Sequence, residues 1–219
     1  MLIWDWEFVW EILPELLEGL VITVEATIGG FILAAVLGLM FALARRSDNQ
    51  WLAQPVGALV EFVRSTPLLV QLFFLFYVLP RYGIRLPALV IGIFALGLHY
   101  GTYCSEVYRA GIEAVPRGQW EAATALNFSM SDTWRRVILP QAIPPMIPAL
   151  GNYFVAMFKE TPQLAAITIT ELLLTGRNIG TSTFRFLEPI TLVGVLFFLL
   201  SYPSSILVQR LEARYARRG

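Results

Sequence analysis

The sequence has 219 residues, of which 57% are hydrophobic and 15% are charged, and its sixteen basic side chains are balanced by sixteen acidic ones. Soluble domains average roughly 45–50% apolar and about 25% charged residues, so a mean hydropathy of +0.64 excludes a disordered chain and a typical soluble domain. The zero net charge gives no support to a nucleic-acid binder. A chain this apolar is expected in a lipid bilayer.

Counts of single residue types exclude several kinds of site. Cys104 is the one cysteine and His99 the one histidine, so an internal disulfide and a zinc site built on cysteine or histidine pairs are excluded. Lys159 is the one lysine, and no glycine-rich phosphate-binding loop precedes it. We therefore expect no metal site, no bound cofactor and no catalytic residues in this chain.

The first 18 residues carry five acidic and no basic side chains. A cleavable signal peptide begins with a positive region, so this segment is not one. We expect residues 1–18 to form an acidic tail and residues 210–219 to form a basic tail, with a single membrane domain over residues 19–209 between them.

Five apolar stretches predict membrane-spanning helices, since about 20 residues at about 1.5 Å each cross a hydrocarbon core of about 30 Å. Four carry no charge, and the second in chain order is broken by Glu61 and Arg64 before an uncharged run of 16 residues. In order, they cover residues 26–44, 51–80, 86–105, 137–158 and 189–209. The sequence thus predicts an all-α, polytopic membrane protein with five transmembrane helices.

Arginine placement predicts the orientation. The two sides of a five-span chain carry ten and four basic residues. The richer side is expected in the cytoplasm, which places the N-terminus outside and the C-terminus inside. The richer side holds Arg45, Arg46, Arg109, Arg117, Arg135, Arg136, Arg210, Arg214, Arg217 and Arg218, and the poorer side holds Arg81, Arg85, Arg177 and Arg185.

Small residues recur every four positions in the first and third predicted spans. Such spacing lets helix backbones approach closely in lipid. The contact could lie within one chain or between subunits, and the pattern alone leaves both interpretations open. The residues are Ala26, Gly30, Ala34 and Gly38, then Gly97, Gly101 and Ser105.

The connection over residues 106–140 is predicted to be folded. A turn at Pro116 leads into a short alanine-rich helix over 119–126. Asn127 suits the left-handed position that ends a helix, and Ser129 with Asp132 is typical of a capping box before a helix carrying Trp134 and Ile138 on one face. The short helix could dock into a groove on another protein, or it could only cap the bundle.

Five ionisable residues lie in or near the predicted spans and are candidates for a transport pathway, because charge inside lipid is costly and usually faces a partner or a cavity. Glu61 and Arg64 are three apart on a helix and could pair with each other or contact a substrate. Lys159 and Glu160 end the fourth span. His99 lies inside the third, where packing and ligand binding are both possible.

Three motifs carry a family resemblance. Residues 121–127 (EAATALN) followed by 138–142 (ILPQA) resemble the EAA loop of permease subunits of bacterial ABC importers. Residues 63–71 (VRSTPLLVQ) and 106–112 (EVYRAGI) are similar to the polar-amino-acid branch, and the resemblance covers roughly 18–209. It implies the five-helix permease fold shared with methionine importers, in the bacterial cytoplasmic (inner) membrane.

The resemblance also implies partners and site residues. A cytoplasmic ABC ATPase subunit would use the ATP, a second permease subunit, identical or different, would complete the pathway in the lipid, and an extracytoplasmic solute-binding protein would deliver the cargo. The family's usual glycine is Asn127 here, and residues 159–163 (KETPQ) also depart from the common pattern. The residues implied to contact the ATPase are Gly118, Gln119, Glu121, Ala122, Ala123, Leu126 and Asn127.

The resemblance predicts a permease for polar amino acids or amino-acid-like zwitterions, with ectoine or hydroxyectoine as the alternative cargo suggested by the altered 159–163 segment. Two other classes are weaker. A transporter working without an ATPase would need no coupling loop, and an intramembrane hydrolase would need His99 beside a nucleophile. Ser105 lies six residues from His99, which puts the two on different faces of a helix.

Overall fold

A computed structural model describes residues 4–216, and within that range the chain is helical with no strand. Three longer helices, α1, α4 and α9, are separated by shorter ones and by π- and 3₁₀-helical turns. The α-helices are α1 Trp6–Arg45, α2 Gln50–Arg64, α3 Leu68–Phe73, α4 Ala88–Glu113, α5 Arg117–Ala125, α6 Met130–Asp132, α7 Leu139–Glu160, α8 Leu172–Thr183 and α9 Leu187–Ala216. Turns over Phe74–Val78 and Thr133–Ile138 are π-helical, and those over Leu79–Tyr82 and Thr161–Ile167 are 3₁₀-helical.

The first helix is longer than the first predicted span. Asp5 caps it, since its carboxylate accepts hydrogen bonds from the backbone N–H groups of Glu7 (3.0 Å) and Phe8 (3.2 Å). Phe8, Ile12 and Leu16 repeat every four residues and pack on α8 and α9. Residues 6–18, expected as an acidic tail, are therefore the first turns of α1. Residues 1–3 and 217–219 lie outside the described range.

The second predicted span is a bent pair of helices. α2 and the segment Leu68–Tyr82 meet at an angle of 105°. The Gln71 side-chain amide closes the bend by donating to the carbonyl of Val63 (2.8 Å) and to the carbonyl and hydroxyl oxygens of Thr66 (3.1 and 2.9 Å). Pro67 lacks the N–H that would bond to the carbonyl of Val63, and a proline disfavours the helical conformation of the residue before it, so the sequence favours a break here.

Small residues join α1 to α4 within the chain. A Cβ added at Gly38 would lie 2.6 Å from the Cβ of Cys104 and 2.9 Å from the carbonyl oxygen of Gly101. A Cβ at Gly97 would lie 2.6 Å from Leu33. The four-residue spacing therefore serves contact inside one subunit, and α1 and α4 form the most extensive helix pair of the fold.

In the part of the chain that the structure describes, three helices are long and apolar enough to cross a membrane, namely α1, α4 and α9, and the bent pair raises the number to four. The remaining predicted span, 137–158, coincides with α7, which has 22 residues but falls outside that set. Pro144, Pro145 and Pro148 are retained inside this helix. α7 packs on α9, where Gly151 faces Val208.

The start of α1 packs on α8 and α9. α8 itself begins at Glu171, whose carboxylate accepts from the N–H groups of Leu173 (3.0 Å) and Leu174 (2.8 Å). Arg185 bridges Asp5 (3.1 Å) and Glu188 (2.5 Å). The arginines at the ends of α1, α2 and α4 gather at the opposite end of the bundle, called here the arginine-rich end.

Candidate coupling loop and interior polar sites

The loop predicted to be folded carries α5 on a rigid base. Pro116 precedes α5 with an extended backbone (φ −55°, ψ 139°). The rings of Trp120 and Trp134 meet edge to face, with centroids 5.3 Å apart. Ala123 is buried, and the Gln141 amide donates to the side-chain oxygen of Gln119 (3.3 Å). The helix is thus attached along one face to the turn that leads into α7.

Asn127 ends α5 in the left-handed conformation that the sequence predicts, with φ 55°. The N–H of Phe128 donates to the carbonyl of Ala123, and that of Asn127 donates to the carbonyl of Thr124, both at 3.0 Å. These two bonds form a Schellman motif, which satisfies carbonyl groups at the helix end. The left-handed conformation at Asn127 is confirmed.

The Ser129 cap is also confirmed, because its hydroxyl accepts from the N–H of Asp132 at 3.1 Å and donates to the Asp132 carboxylate at 2.7 Å. The helix expected after it is only one turn of α-helix before Thr133–Ile138 becomes π-helical. Ile138 is buried there with Val115 and Ala142, and Trp134 packs against the same cluster. A π-turn carries one extra residue, a feature that hydrophobic spacing does not reveal.

The outward side of this loop is open and partly apolar. Leu126 is 69% exposed and Met130 is 72% exposed. A depression of about 500 Å³ lies between α5 and the π-turn. Its lining residues are Trp120, Glu121, Thr124, Ala125, Phe128, Met130 and Thr133.

The residues implied to contact a partner divide into two groups. Ala123 faces the base, and the other six are exposed. A Cβ at Gly118 would meet no atom within 4 Å, so this glycine leaves open space at the start of α5. The exposed group is Gly118, Gln119, Glu121, Ala122, Leu126 and Asn127.

Glu61 and Arg64 form an ion pair at 3.6 Å, but Arg64 also reaches Glu106, again at 3.6 Å. Glu106 accepts from Arg45 at 2.5 Å and from Arg109 at 2.7 Å. Sequence analysis did not select Glu106 as a site residue, because its arginine partners on α1 and α2 are distant in sequence. The sequence did contain one indication that Glu106 matters, because it belongs to the family-like motif 106–112 and Arg64 belongs to the motif 63–71.

His99 lies at a cluster of tyrosines inside the bundle. Its ring centroid is 5.7 Å from that of Tyr100 and 5.3 Å from that of Tyr103, and Tyr153 on α7 lies 5.6 Å from Tyr103. The side-chain Nδ1 of His99 is buried without a hydrogen-bond partner among residues 4–216. The site therefore combines aromatic rings with a buried nitrogen that makes no hydrogen bond to the described residues.

Glu160 lies beside Tyr100, so the structure brings it to the His99 cluster. Its Oε2 is also buried without a partner in the described part of the chain. Lys159, the neighbouring residue, is exposed instead. The five pathway candidates therefore separate into an interior group with His99 and Glu160, the pair Glu61 and Arg64 at the arginine-rich end, and Lys159 on the surface.

Ser105 is not placed to act as a nucleophile with His99. Its hydroxyl donates to the carbonyl of Thr102 at 2.7 Å, and the Thr102 hydroxyl donates to the carbonyl of His99 at 2.6 Å. Both hydroxyl groups therefore donate to backbone carbonyl groups of α4, and the Ser105 hydroxyl does not donate to the His99 ring. Among the described residues, no group of three or more histidine, cysteine, aspartate or glutamate side chains could hold a metal ion.

Comparison with known proteins matches residues 34–217 to the family described as binding-protein-dependent transport system inner membrane component. A probable amino-acid ABC transporter permease of Sinorhizobium fredii, y4tG, is 48% identical over 97% of this chain and 92% of its own length. The glutamine transport system permease GlnP of Escherichia coli is 32% identical over 96% and 97%. The L-cystine transport system permease TcyB of Bacillus subtilis is 35% identical over 93% and 89%.

Solved structures agree in fold. A crystal structure of an amino acid ABC transporter with histidines has a chain that superposes with a TM-score of 0.90 at 32% identity, covering 97% of this chain and 100% of that one. The MetNI methionine ABC transporter in an inward-facing conformation gives a TM-score of 0.67 at 19% identity, covering 95% and 99%. The second match concerns the fold alone.

Proposed function

We propose that this chain, which belongs to the family of binding-protein-dependent transport system inner membrane components, couples amino-acid import to a cytoplasmic ATPase through α5. It is an amino-acid ABC transporter permease, a transport subunit rather than an enzyme, and ATP hydrolysis resides in a separate partner chain. The ATPase would bind the ATP, and this chain would bind no cofactor. The coupling role assigned to α5 is the proposal.

One observation carries the proposal. α5 is a short helix fixed on one side and open on the other. The Trp120 ring meets that of Trp134, and Ala123 is buried. On the other side, Glu121 and Met130 line an open depression, and Leu126 is exposed. A force applied to such a helix moves the start of α7 instead of bending a loose loop. A helix that only caps the bundle would have no need of exposed leucine and methionine.

We infer the orientation of the chain in the membrane from the distribution of its arginines. Ten arginines against four place the α5 side in the cytoplasm, where an ATPase can reach it, and the start of α1 outside. There, an extracytoplasmic solute-binding protein would deliver cargo. A second permease, identical or different, would complete the pathway, and the complex would lie in the bacterial inner membrane with lipid around it.

We also propose that the His99 cluster contributes to the pathway. It combines buried aromatic rings with two unused polar atoms, His99 Nδ1 and Glu160 Oε2. A carboxylate in this position can pair with the amino group of a zwitterion. Relatives named for glutamine and L-cystine indicate the class of cargo, a polar amino acid. Ectoine, also a zwitterion derived from an amino acid, is the alternative cargo.

The test uses Glu121→Ala in the complex reconstituted in liposomes with its ATPase and binding protein. We expect the subunits to assemble as in the wild type, while binding-protein-stimulated ATP hydrolysis and uptake of radiolabelled amino acids fall about tenfold. Glu11→Ala is the matched control, since Glu11 is also exposed but lies at the opposite end of the bundle. Unchanged stimulation and uptake in Glu121→Ala would reject the coupling role.

A further inference from the structure

The carboxylate of Glu106 contacts arginine side chains from three helices at the arginine-rich end. Its Oε1 contacts Arg45 at 2.5 Å and Arg64 at 3.6 Å, and its Oε2 contacts Arg109 at 2.7 Å. All four side chains are between about a quarter and two-fifths exposed. Glu61 and Glu113 each contact one of these arginines, so within residues 4–216 Glu106 is the one acid that contacts all three guanidinium groups.

The three arginines differ in what they attach. Arg45 is the last residue of α1, and Arg109 lies on the same helix as Glu106, so both belong to the closely packed α1–α4 pair. Arg64 is the last residue of α2, directly before the 105° bend. Within residues 4–216, Arg64–Glu106 is the one ion pair between α2 and α4.

The attachment of α2 is otherwise slight. Only Val60 and Val63 of its residues are buried. In contrast, the end of α4 is firmly connected to the coupling loop, because Ile112 and Val115 pack on Ile138 and Ala142 at the start of α7. Glu106 therefore lies between two parts of the fold. One is the α1–α4 pair, which packs on the loop that carries α5, and the other is α2, which has few buried residues and leads into the bend.

We infer that Glu106 is a positioning residue that transmits movement of the α5 loop to the α2–α3 bend through Arg64. This inference rests on the proposed function, since it assumes that α5 receives the movement from an ATPase. The longer Arg64 contact is the one that can open and close, while the shorter contacts to Arg45 and Arg109 keep the carboxylate in place. The pairing thus links nucleotide-driven movement to the second membrane-spanning element.

The test measures how many amino acids enter per ATP hydrolysed. The complex in liposomes is supplied with its binding protein and an equimolar mixture of radiolabelled L-amino acids. Glu106→Gln keeps the shape of the side chain and removes its charge. We expect wild-type assembly and ATP hydrolysis, with a five- to tenfold lower ratio of uptake to hydrolysis. A merely structural role would lower the amount of complex and leave the ratio unchanged.

The control is Glu113→Gln. Glu113 is on the same helix, its one ion pair among the described residues is with Arg109 at 2.7 Å, and its side chain is 50% exposed. This variant should keep the wild-type ratio within about twofold. A wild-type ratio in Glu106→Gln, or an equal fall in Glu113→Gln, would overturn the inference.

Arg64→Gln supplies an independent arm. It should lower the ratio as Glu106→Gln does, and the double variant should fall no further, because each change alone already removes the Arg64–Glu106 contact. A multiplied loss in the double variant would overturn the inference. If Glu106→Gln fails to assemble, Arg64→Gln alone decides, with a lowered ratio supporting the inference and a wild-type ratio rejecting it.

The same assay distinguishes the coupling role of α5 from the positioning role of Glu106. A complex in which Glu121→Ala lowers stimulated hydrolysis and uptake while Glu106→Gln and Arg64→Gln keep the wild-type ratio would reject the role of Glu106 alone. A wild-type complex with no uptake, or a Glu121→Ala complex that works normally, would reject the proposed function and the inference with it.

Discussion

Replacing Gly151 by alanine should loosen the contact between α7 and α9. The new Cβ would lie 2.7 Å from Cγ2 of Val208, whereas carbon atoms in good contact are about 3.5–4.0 Å apart. Val208 cannot easily rotate away, because its other methyl group is already 3.4 Å from the same point. Overpacking of this kind costs about 1–3 kcal/mol. The better helix propensity of alanine returns about 1 kcal/mol.

A net loss of about 1 kcal/mol corresponds to a fall in Tm of about 2–4 °C for a chain of this size. Thermal unfolding of the purified permease in detergent measures it. Gly194→Ala is the matched control, since Gly194 lies in α9 and a Cβ there would meet no atom within 4 Å. Its Tm should hold or rise.

Val208→Ala in the Gly151→Ala background leaves the nearest atom, the Cβ of residue 208, at 3.6 Å, an ordinary contact. The two changes should therefore compensate, with a coupling energy of about 1 kcal/mol. Strictly additive losses, or a Gly151→Ala protein as stable as Gly194→Ala, would refute this account of the helix pair.

Two further predictions concern the helix ends. Asn127→Ala should raise hydrogen exchange at the Phe128 amide about 5- to 30-fold, because a left-handed alanine costs about 1–2 kcal/mol, whereas Asn127→Gly should not; equal exchange in both variants would contradict the strain argument. The backbone N–H of Phe8 and the cation of Arg185 hold the pKa of Asp5 below its ordinary value of 3.8, so its contribution to stability is present above that pH and is lost as the pH falls through the lowered pKa. The Tm difference between wild type and Asp5→Asn should shrink from pH 5 to pH 3, and a constant difference would reject the role of that charge.

Local features of the coupling loop could be predicted because short-range chemistry decides them. An alanine-rich segment forms a helix, asparagine tolerates the left-handed residue that ends it, and serine caps the next turn. The extent of α1 could not be obtained by searching for uncharged stretches, since its first turns carry exposed acids. The four-residue spacing of Phe8, Ile12 and Leu16 was the signal that those turns are helical.

Features that depend on distant parts of the chain were beyond the sequence. Glu106 meets Arg45 and Arg64 only after α1, α2 and α4 have packed, and no spacing rule pairs residues so far apart. The union of His99 with Glu160 beside Tyr100 likewise requires α4 and α7 to be side by side. The family-like motifs include Arg64 and Glu106 but do not indicate that these two residues are partners.

Cysteine cross-linking can show whether the α5 surface contacts an ATPase. The native Cys104 is fully buried, so it gives little background. Ala122→Cys is exposed on α5, and Thr181→Cys is exposed at the other end of the bundle. With the copurified ATPase and a cross-linker that carries a maleimide for the introduced thiol and a succinimidyl ester for lysine amines of the ATPase, we expect a covalent adduct of the two chains for Ala122→Cys and none for Thr181→Cys. An intact complex that yields no adduct at Ala122→Cys, or an equal one at Thr181→Cys, would contradict it.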